Sequence, residues 1–269
     1  MLNPVSLDTI CASITYAFGI DVPECAAPPN EALVKYIDEI FDGGKADRVF
    51  MYNPDAIAEW IYRKYPQLCA EAKDNTDIEI PLRSVMPSVT PVCFGTMYTG
   101  AQPEIHGIQR YEKPVIKIDT LFDALIRAGK KPAIIAYGDA SLAKIFLERD
   151  MDYYYIPESS AIGAVNAIAA ELIIKDQHDF ILLYNGNYDS KMHKFAPESV
   201  EALSELRSNI LTFDMIRELI ERHWKGHNTM LGFAMDHGCH EIDGGCGSHG
   251  LDMEEDLNIV HLYKGYRKD

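Results

Sequence analysis

The sequence predicts a single-domain α/β protein, a three-layer sandwich in which a mostly parallel sheet is covered by helices on both faces. Two observations support this prediction. Short apolar runs recur without polar alternation, as expected for strands that are buried on both faces. Segments with helical spacing separate these runs, and alternation of strand and helix is typical of parallel sheets. We expect one domain over residues 1–269, because the chain contains no internal repeat, low-complexity tract or linker.

The first elements are a helical segment, a strand and a further helix. Residues 1–45 are predicted to form a helical N-terminal extension that could serve as a lid over the site. Within it, "NEALVKYIDEIFDGG" has helical spacing, with Asn30 as the N-cap and Gly43-Gly44 as the stop. The run "RVFMYNPD" (48–55) is predicted to be a strand that ends in a turn, and "AIAEWIYRKYPQLCAEA" an amphipathic helix.

The same alternation continues through the rest of the chain. The predicted helices are "TLFDALIRAGKK" (120–131, ending at Gly129), "SLAKIFLERD", "SAIGAVNAIAAELIIKD" and the stretch 198–224. The predicted strands are "PAIIAYGDA" (132–140), "DYYYI", "DFILLYNGNYD" (179–189), "NTMLGFAMDHG" (228–238) and "NIVHLYKG" (258–265).

Composition limits the classes of partner. Apolar residues make up 47% of the chain and charged residues 25%, which is ordinary for a globular enzyme. The net charge of -16 disfavours binding to nucleic-acid polymers or to anionic membranes, which requires clustered Lys and Arg. A small anionic substrate remains compatible with this charge, because bound metal cations reverse the local field. The sequence does not indicate an oligomeric state.

A cytoplasmic location is expected. The first twenty residues, "MLNPVSLDTICASITYAFGI", lack the basic start and clean apolar core of a signal peptide. No apolar run reaches the roughly 18 residues of a membrane span. The six cysteines are scattered along the chain, and without an export signal we expect them to be reduced thiols.

Acidic and imidazole side chains follow three of the predicted strands. Ligands bind at the carboxyl ends of such strands, so the loops "YNPDA", "YNGNYDSKMH" and "MDHGCH" should share one edge of the sheet. A helical turn after Tyr188 would place Asp189 and His193 on one face. Carboxylates and imidazoles suit zinc, manganese or iron better than calcium. Two metals need about six ligands, and the candidates are Asp55, Asp189, His193, Asp236, His237 and His249.

Each of these residues and short motifs also has an ordinary structural interpretation. A single Asp after a strand is most often a helix cap, and an Asp/His pair four residues apart is most often a solvated helix face. The sequence Asp-His-Gly is compatible with a simple turn. Their joint occurrence at successive strand ends favours a metal centre.

Thr90-Pro91 is the candidate for a nucleophile in such a centre. Proline is favoured at the first helical position, so Thr90 is predicted to be the N-cap of a helix. The structural interpretation is that Thr90 is an ordinary capping residue without a catalytic role. The functional interpretation is that the helix N-terminus attracts an anion and helps to ionise the hydroxyl. Attack on phosphorus would then give a covalent phospho-enzyme.

Four motifs in order resemble the alkaline phosphatase superfamily, and most closely its nucleotide pyrophosphatase/phosphodiesterase branch. "PSVTPVCFGTMYTGAQPEIHGI" resembles that branch's nucleophile region, P-T-x-T-F-P-N followed by T-G and P-E-x-H-G-I. "YDSKMHKFAP" is similar to D-x-x-x-H-x-x-G-P, and "MDHGCH" is similar to S-D-H-G-M. "GSHG" supplies the last histidine, and the match covers about residues 48–256.

The resemblance implies an alkaline phosphatase-like core and a two-metal phosphoric ester hydrolase with Thr90 as the nucleophile. It implies one divalent metal held by Asp189, His193 and His249, and a second held by Asp55, Asp236 and His237, with zinc or manganese as the metal. The implied substrate is a small phosphodiester or nucleotide pyrophosphate. The alternatives are a phosphomonoesterase or phosphomutase on the same core and a non-catalytic metal-binding α/β protein.

The chain departs from the family pattern at several positions. Cys93 stands where the family has asparagine three residues after the nucleophile, so the group that places the substrate differs here. Ala196 replaces a glycine. Sulfatases need C-x-P-x-R from the nucleophile position, which is absent. The segment between Gly107 and Asp189 is short, so the large inserted cap of cofactor-independent phosphoglycerate mutases is not expected.

Other residues have weaker signals. Asn53, Cys93 and Arg110 are candidate substrate contacts, and Tyr111, Lys113 and either Asn185 or Asn187 could also reach a substrate anion. For Arg110, Tyr111 and Lys113, a surface location without contact to the substrate is an equally open interpretation. Cys239, His240 and Cys246 could form a small zinc site, although no second C-x-x-C pair supports it. His240 is alternatively a group that orients a metal ligand. His106 is expected to fix the end of the nucleophile helix.

Overall fold

A central sheet of seven strands organises the protein. The computed structural model describes residues 1–157 and 162–269. Its strands are β1 (Arg48–Pro54), β2 (Ile78–Arg83), β3 (Pro132–Tyr137), β4 (Asp152–Ile156), β5 (Phe180–Asn185), β6 (Thr229–Ala234), β7 (His240–Ile242), β8 (Cys246–Ser248) and β9 (Asn258–Tyr266). Strands β7 and β8 pair separately as a hairpin. The elements predicted from the sequence do not include this hairpin.

The sheet order is β2-β9-β6-β1-β5-β3-β4. The pairs from β6 across to β4 are parallel, whereas β9 runs antiparallel to both β2 and β6. Every described residue of β5 and β6 is buried, as the uninterrupted apolar runs predict. The predicted α/β fold with a mostly parallel sheet is therefore confirmed.

Helices make up the outer two layers. They are α1 (Thr9–Phe18), α2 (Glu31–Phe41), α3 (Glu59–Lys64), α4 (Ala70–Asp74), α5 (Thr90–Thr99), α6 (Pro103–His106), α7 (Leu121–Arg127), α8 (Ser141–Ile145), α9 (Ile162–Lys175), α10 (Asn187–Phe195), α11 (Val200–His223) and α12 (Glu254–Leu257). None of these described helices combines the length and the apolar character needed to cross a bilayer.

Two consecutive residues of β1 show that both faces of the sheet are covered. Side chains along a strand alternate between the faces. The Tyr52 hydroxyl donates a hydrogen bond to Asn209 on α11 at 2.6 Å. The neighbouring Asn53 accepts one from the Tyr98 hydroxyl on α5, also at 2.6 Å. Helices α11 and α5 therefore pack on opposite faces of the sheet.

The N-terminal segment packs behind the helix that begins at Thr90. Asn30 caps α2 as predicted, with its side chain accepting a hydrogen bond from the Leu33 amide. Residues 19–30 are not helical, contrary to the prediction of a continuous helical segment. Helix α1 packs against α5, and Ala27 donates to the Gly100 carbonyl just past the C-terminal end of α5. The structure thus does not place this segment over the site as a lid.

Three further predictions need adjustment. The amphipathic helix predicted after β1 is split into α3 and α4, with Pro66 in the break, because proline lacks the amide that would continue the helix. Strand β2 was missing from the sequence prediction. The predicted start of the helix at Ser160 lies outside the described residues, which resume at Ile162.

The segment between Gly107 and Asp189 forms part of the central sheet. Its described residues contribute β3, β4 and β5 together with α7, α8 and α9. Within the ranges described, it therefore builds the sheet and does not form a separate cap, in agreement with the prediction.

Candidate metal centre and active site

Three adjacent strands carry five of the six predicted metal ligands to one edge of the sheet. Strand β1 lies between β5 and β6, and all three run in the same direction. Asp55 directly follows β1, Asp236 lies two residues after β6, and Asp189 lies in the first turn of α10 after β5. Parallel strands end at the same edge, so these three carboxylates converge although they are far apart in sequence.

The first cluster consists of Asp55, Asp236 and His237. The His237 Nε2 atom lies 3.4 Å from Asp55 Oδ1 and 3.4 Å from Asp236 Oδ2. All three side chains are buried. The backbone amide of Ala56 donates to Asp236 Oδ1 at 3.1 Å and so fixes the orientation of that carboxylate. The three groups offer one ligand atom each to a common point.

The second cluster consists of Asp189, His193 and His249. Helix α10 places Asp189 and His193 on one face, as their four-residue spacing predicts, with His193 Nε2 lying 3.2 Å from Asp189 Oδ1. His249 reaches the same point from the segment after β8. Its Nε2 lies 3.4 Å from Asp189 Oδ1 and 3.1 Å from His193 Nε2. This cluster is the more exposed of the two.

The two clusters are adjacent. The ring centroids of His237 in the first cluster and His249 in the second are 4.1 Å apart. A cation in each cluster would therefore face a shared space in which a phosphoryl group could contact both.

The histidines of both clusters present the same ring nitrogen. In each ring, Nδ1 lies against a backbone carbonyl, which can only accept a hydrogen bond, so Nδ1 carries the proton. The Nδ1 distances are 3.0 Å for His193 to Gly247 O, 2.9 Å for His249 to Ser88 O and 2.9 Å for His237 to Gly238 O. Each Nε2 atom is therefore directed into its cluster, which is the arrangement expected of metal-binding histidines.

Two buried carboxylate oxygens lack a hydrogen-bond donor. Asp236 Oδ2 and Asp189 Oδ1 accept no well-directed hydrogen bond among the described residues, although ring nitrogens lie 3.2–3.4 Å away. A buried carboxylate oxygen without a partner is costly, and a bound cation removes that cost. The donor set of both clusters therefore fits a divalent metal.

Burial and neighbouring charges shift the ionisation of these groups. Burial, reinforced by nearby carboxylates, raises the pKa of Asp55 and of Asp236. Burial also opposes ionisation of Asp189, but His193 and His249 outweigh it and hold the pKa of Asp189 below its usual range. The adjacent Asp189 carboxylate raises the pKa of His193 to about 9. Binding of a cation at His193 therefore displaces a proton.

Thr90 lies against the first cluster. Its Oγ1 is 3.3 and 3.4 Å from the two Asp55 carboxylate oxygens and 3.4 Å from His237 Nε2. Thr90 is the first residue of α5, whereas the sequence predicts it to be the N-cap; Val89 occupies the cap position and Pro91 follows in the first turn. The hydroxyl is thus held at the positive end of a ten-residue helix.

Tyr184 is a site residue that the sequence analysis missed. It belongs to β5, and its hydroxyl donates a short hydrogen bond to Asp55 Oδ2. Phe94 packs edge-on against its ring, with centroids 5.8 Å apart. Gly186 makes room for the hydroxyl, since a Cβ at that position would lie 2.6 Å from the Tyr184 oxygen. A tyrosine two residues before a glycine at a strand end is the only sequence signal of this arrangement.

A cavity of about 510 Å³ opens beside the two clusters. Thr90, Asp55, Asp189 and Tyr184 contribute to its lining. The remaining lining includes Tyr111, Lys113, Tyr137, Asp139, Asn187, Lys191 and Glu205. A cavity of this size accommodates a small molecule.

The three candidate substrate contacts do not line this cavity. Asn53 is fully buried beneath the site, with its amide donating to the Ala234 carbonyl and accepting from Tyr98. Cys93 is also buried; it accepts a hydrogen bond from Ser84, and burial raises the pKa of its thiol well above the ordinary value. Arg110 is exposed and ion-paired with Glu112.

These positions illustrate a limit of motif spacing. Asn53 lies only two residues from Asp55 and on the same face of the sheet, but it is still inside β1 beneath α5, whereas Asp55 follows the end of the strand. Of the other candidates, Tyr111, Lys113 and Asn187 line the cavity, whereas Asn185 is buried and donates to the Tyr52 hydroxyl at 2.7 Å.

The small zinc site considered for Cys239, His240 and Cys246 is not formed among the described residues. Cys239 is buried near the Tyr188 hydroxyl, while Cys246 lies near the Lys194 carbonyl. In the described parts of the chain, neither cysteine belongs to a group with metal-binding geometry. His240 instead lies 2.7 Å from Asp256 through Nδ1, and Asp256 also accepts from the Leu251 amide. This pair ties together the segments on either side of His249.

His106 packs against the C-terminal half of α5, in agreement with the prediction for this helix. Its ring packs on Gly95, where a Cβ would lie 2.8 Å from His106 Cε1. The Ile108 amide donates to His106 Nδ1, so Nε2 carries the proton and donates to the Thr96 hydroxyl at 3.1 Å.

Comparison with protein families gives a match over most of the chain. The model of the type I phosphodiesterase / nucleotide pyrophosphatase family matches residues 52–265, a range that includes all of the clustered residues and Thr90. No curated protein matches the chain significantly.

Solved structures show the same fold. The human ectonucleotide pyrophosphatase / phosphodiesterase 5 aligns with a TM-score of 0.64 and 14% identity over 81% of this chain and 87% of its own. An inactive threonine-to-alanine variant of the murine enzyme in complex with AMP aligns with a TM-score of 0.57 and 18% identity over 74% of this chain. Phosphonoacetate hydrolase from Sinorhizobium meliloti 1021 in complex with phosphonoacetate aligns with a TM-score of 0.55 and 18% identity over 74% of this chain. The match spans 59% of the murine and of the bacterial chain.

Proposed function

We propose that this chain, which belongs to the type I phosphodiesterase / nucleotide pyrophosphatase family of the alkaline phosphatase superfamily, is a two-metal phosphoric ester hydrolase with Thr90 as its nucleophile. Family membership confirms the resemblance found in the four sequence motifs, and with it a hydrolase of the phosphodiesterase/pyrophosphatase type. The two metals, the nucleophile and the substrate are our proposals.

The position of Thr90 carries the proposal. Its hydroxyl lies 3.3 Å from Asp55 in one Asp/His cluster, and a second complete cluster adjoins the first. A threonine with only a structural role at the start of a helix would not require two such clusters beside it. A murine relative that carries a threonine-to-alanine substitution is inactive, which supports a catalytic role for a threonine in this chain.

The residues of the two clusters would hold one divalent cation each. Asp55, Asp236 and His237 form the first site, and Asp189, His193 and His249 form the second. The mixed carboxylate and imidazole ligands favour zinc, with manganese as the alternative. When bound, the two cations neutralise charge on the phosphoryl oxygens and lower the pKa of a nearby hydroxyl or water.

The chain's own residues then determine the course of the reaction. The dipole of α5 stabilises the ionised Thr90 hydroxyl and attracts the phosphoryl group. Attack by Thr90 Oγ1 forms an O–P bond and breaks the bond from phosphorus to the leaving oxygen, which departs with a proton. Water then cleaves the bond between Thr90 and phosphorus, which restores the hydroxyl and releases the product. Tyr184 holds Asp55 in place throughout.

A small molecule with a phosphate ester or pyrophosphate bond is the proposed substrate. The solved relatives bind AMP and phosphonoacetate, both small phosphorus compounds. The cavity of about 510 Å³ suits such a molecule, and the net charge of -16 disfavours nucleic-acid polymers. We propose a single catalytic domain over 1–269. A cytoplasmic location remains a prediction, which the six free thiols support.

The test compares two chromogenic esters. Hydrolysis of bis-p-nitrophenyl phosphate and p-nitrophenyl phosphate is measured after metal removal and after addition of zinc or manganese, for wild type, Thr90→Ala and Thr90→Ser. We expect metal-dependent turnover that is lost in Thr90→Ala and partly retained in Thr90→Ser, which keeps a hydroxyl. Acid quenching during turnover followed by mass spectrometry should find phosphate on the peptide that contains Thr90.

The outcomes distinguish the alternatives. Faster turnover of the monoester would favour a phosphomonoesterase or phosphomutase. Full activity in Thr90→Ala would exclude the covalent mechanism. No metal-dependent turnover of either ester would favour a non-catalytic metal-binding protein.

A further inference from the structure

We infer that the substrate carries a second anionic group, carboxylate or phosphate, apart from the phosphorus that is attacked, and that Lys113 and Lys191 bind this group. The inference rests on the proposed function, because it concerns the cavity into which Thr90 opens. Both lysines line this cavity together with Thr90 and Asp55.

Lys113 is held in place without being neutralised. Its Nζ donates to the backbone carbonyl of Asp139 at 2.7 Å and lies 5.5 Å from the centroid of the Tyr111 ring. No carboxylate of the described residues lies within 4.0 Å of it. A lysine ammonium has three donors, so two remain available to a ligand.

Lys191 is the second cation of the cavity. It lies on α10, two residues after Asp189, and is half-buried. Its Nζ is 6.0 Å from the centroid of the Phe195 ring, and it forms no ion pair with any described residue. Lys191 is thus unpaired although acidic residues outnumber basic ones by 41 to 25 in this chain.

The acidic side chains of the cavity outside the metal clusters are engaged elsewhere. The Asp139 carboxylate lies 3.8 Å from Lys144, a lysine that does not line the cavity. Glu205 accepts a hydrogen bond from the Asn187 amide at 2.7 Å. Neither acid pairs with Lys113 or Lys191, so both ammonium groups remain free to attract an anion from the ligand.

The reacting phosphoryl group does not account for these two lysines. Its charge would be met by the two cations, the N-terminus of α5 and the groups of the clusters. Two further positive charges on the same cavity match a second negative charge on the substrate. Ammonium-to-anion contacts at a partly buried site favour a charged ligand over its neutral isostere by roughly tenfold or more.

A matched pair of substrates tests this inference. Both are p-nitrophenyl phosphodiesters with the same leaving group, and their other ester arm ends either in a carboxylate or in the isosteric carboxamide. For wild type we expect kcat/KM to be at least about tenfold higher for the carboxylate ester, mainly through KM. The ratio should fall several-fold in Lys113→Met and in Lys191→Met, and approach one in the double variant.

Lys194→Met is the matched control. Lys194 lies on the same helix but is exposed and does not line the cavity, so its loss should leave the ratio unchanged. Calorimetric binding of both esters to Thr90→Ala gives the same comparison without turnover.

Each result has a defined meaning. If wild type has equal kcat/KM for the two esters and Thr90→Ala binds both with equal affinity, the inference is overturned and the proposed hydrolase remains intact. A preference that survives in the double variant would show that other groups bind the anion. Preferential binding to Thr90→Ala without any turnover by wild type would support the anion site and reject the proposed hydrolase.

Discussion

The Tyr184 hydroxyl donates a short hydrogen bond to Asp55 Oδ2, which joins residues 129 positions apart in the sequence. Asp55 follows β1 and Tyr184 belongs to the adjacent strand β5. One carboxylate oxygen is thereby occupied, and the other, Oδ1, faces His237 Nε2 at 3.4 Å. The tyrosine thus sets the orientation of a proposed metal ligand without itself belonging to the cluster.

Tyr184→Phe should weaken metal binding without unfolding the protein. Hydrogen-bond partners of metal ligands typically contribute 10–100-fold to affinity, so we expect about tenfold weaker binding of one of the two cations. Phe retains the ring that packs on Phe94, and loss of stability should stay near about 1 kcal/mol. Competition with a chelating dye measures the affinity. Tyr153→Phe, which loses a hydrogen bond to the Phe146 carbonyl far from the site, is the control and should bind both cations normally.

Asp236→Asn should stabilise the metal-free protein. Burial raises the pKa of Asp236 above its unfolded value, so the ionised carboxylate destabilises the fold increasingly as pH rises above the unfolded pKa. Asparagine removes the charge and can still accept from the Ala56 amide. We expect a gain of about 1 kcal/mol or more near about pH 7.5, smaller near about pH 5, in urea unfolding with a chelator present. Added metal should stabilise the Asp236→Asn variant less than it stabilises the wild-type protein.

Asp189→Asn should change the unfolding free energy of the metal-free protein in the opposite direction under the same conditions. His193 and His249 hold the pKa of Asp189 below its usual range, so its ionised form stabilises the fold above the unfolded pKa. The metal-free Asp189→Asn protein should therefore be less stable than wild type. A change in unfolding free energy in the same direction for Asp236→Asn and Asp189→Asn would contradict this explanation of the two clusters.

His106 should make stability depend on pH. Burial lowers its pKa from 6.5 to about 4, so the neutral ring is favoured in the folded state. Its stabilising contribution is complete above the unfolded pKa and is lost as pH falls toward the folded pKa, a loss of about 2 kcal/mol near about pH 5. The difference in unfolding free energy between wild type and His106→Gln should shrink by that amount between about pH 7.5 and 5. Chelator is present throughout, and a constant difference would refute the prediction.

Ala196→Gly should stabilise the protein. Ala196, which stands at the glycine position of the motif that this segment resembles, ends α10 with φ 78° and ψ 155°. This conformation is accessible almost only to glycine, and strain of this kind costs about 1–3 kcal/mol. After the entropy cost of glycine, a net gain of about 1 kcal/mol is expected in chemical denaturation. Ala167→Gly, in the exposed interior of α9, is the control and should lose about 1 kcal/mol. Destabilisation by Ala196→Gly would show that Ala196 is unstrained.

The fold followed from local patterns, with identifiable exceptions. Uninterrupted apolar runs marked β1, β5 and β6, because strands buried on both faces need no polar alternation. Strand β2 was missed because it lies at the sheet edge, where Glu79 and Arg83 interrupt its apolar residues. The antiparallel direction of β9 could not be predicted from the sequence either, since strand pairing depends on partners that are distant along the chain.

The sequence by itself determined the alternation of strands and helices, the six clustered Asp and His residues and the position of Thr90. These features are local: a ligand next to a strand end is carried to the sheet edge whatever the remaining packing. Tertiary structure alone decided which neighbours face the site. It buried Asn53 and Cys93, turned Arg110 outward, and brought Tyr184, Lys113 and Lys191 to the cavity. The physical reason is that strand register and helix packing fix the direction of each side chain, and neither can be read from spacing along the chain.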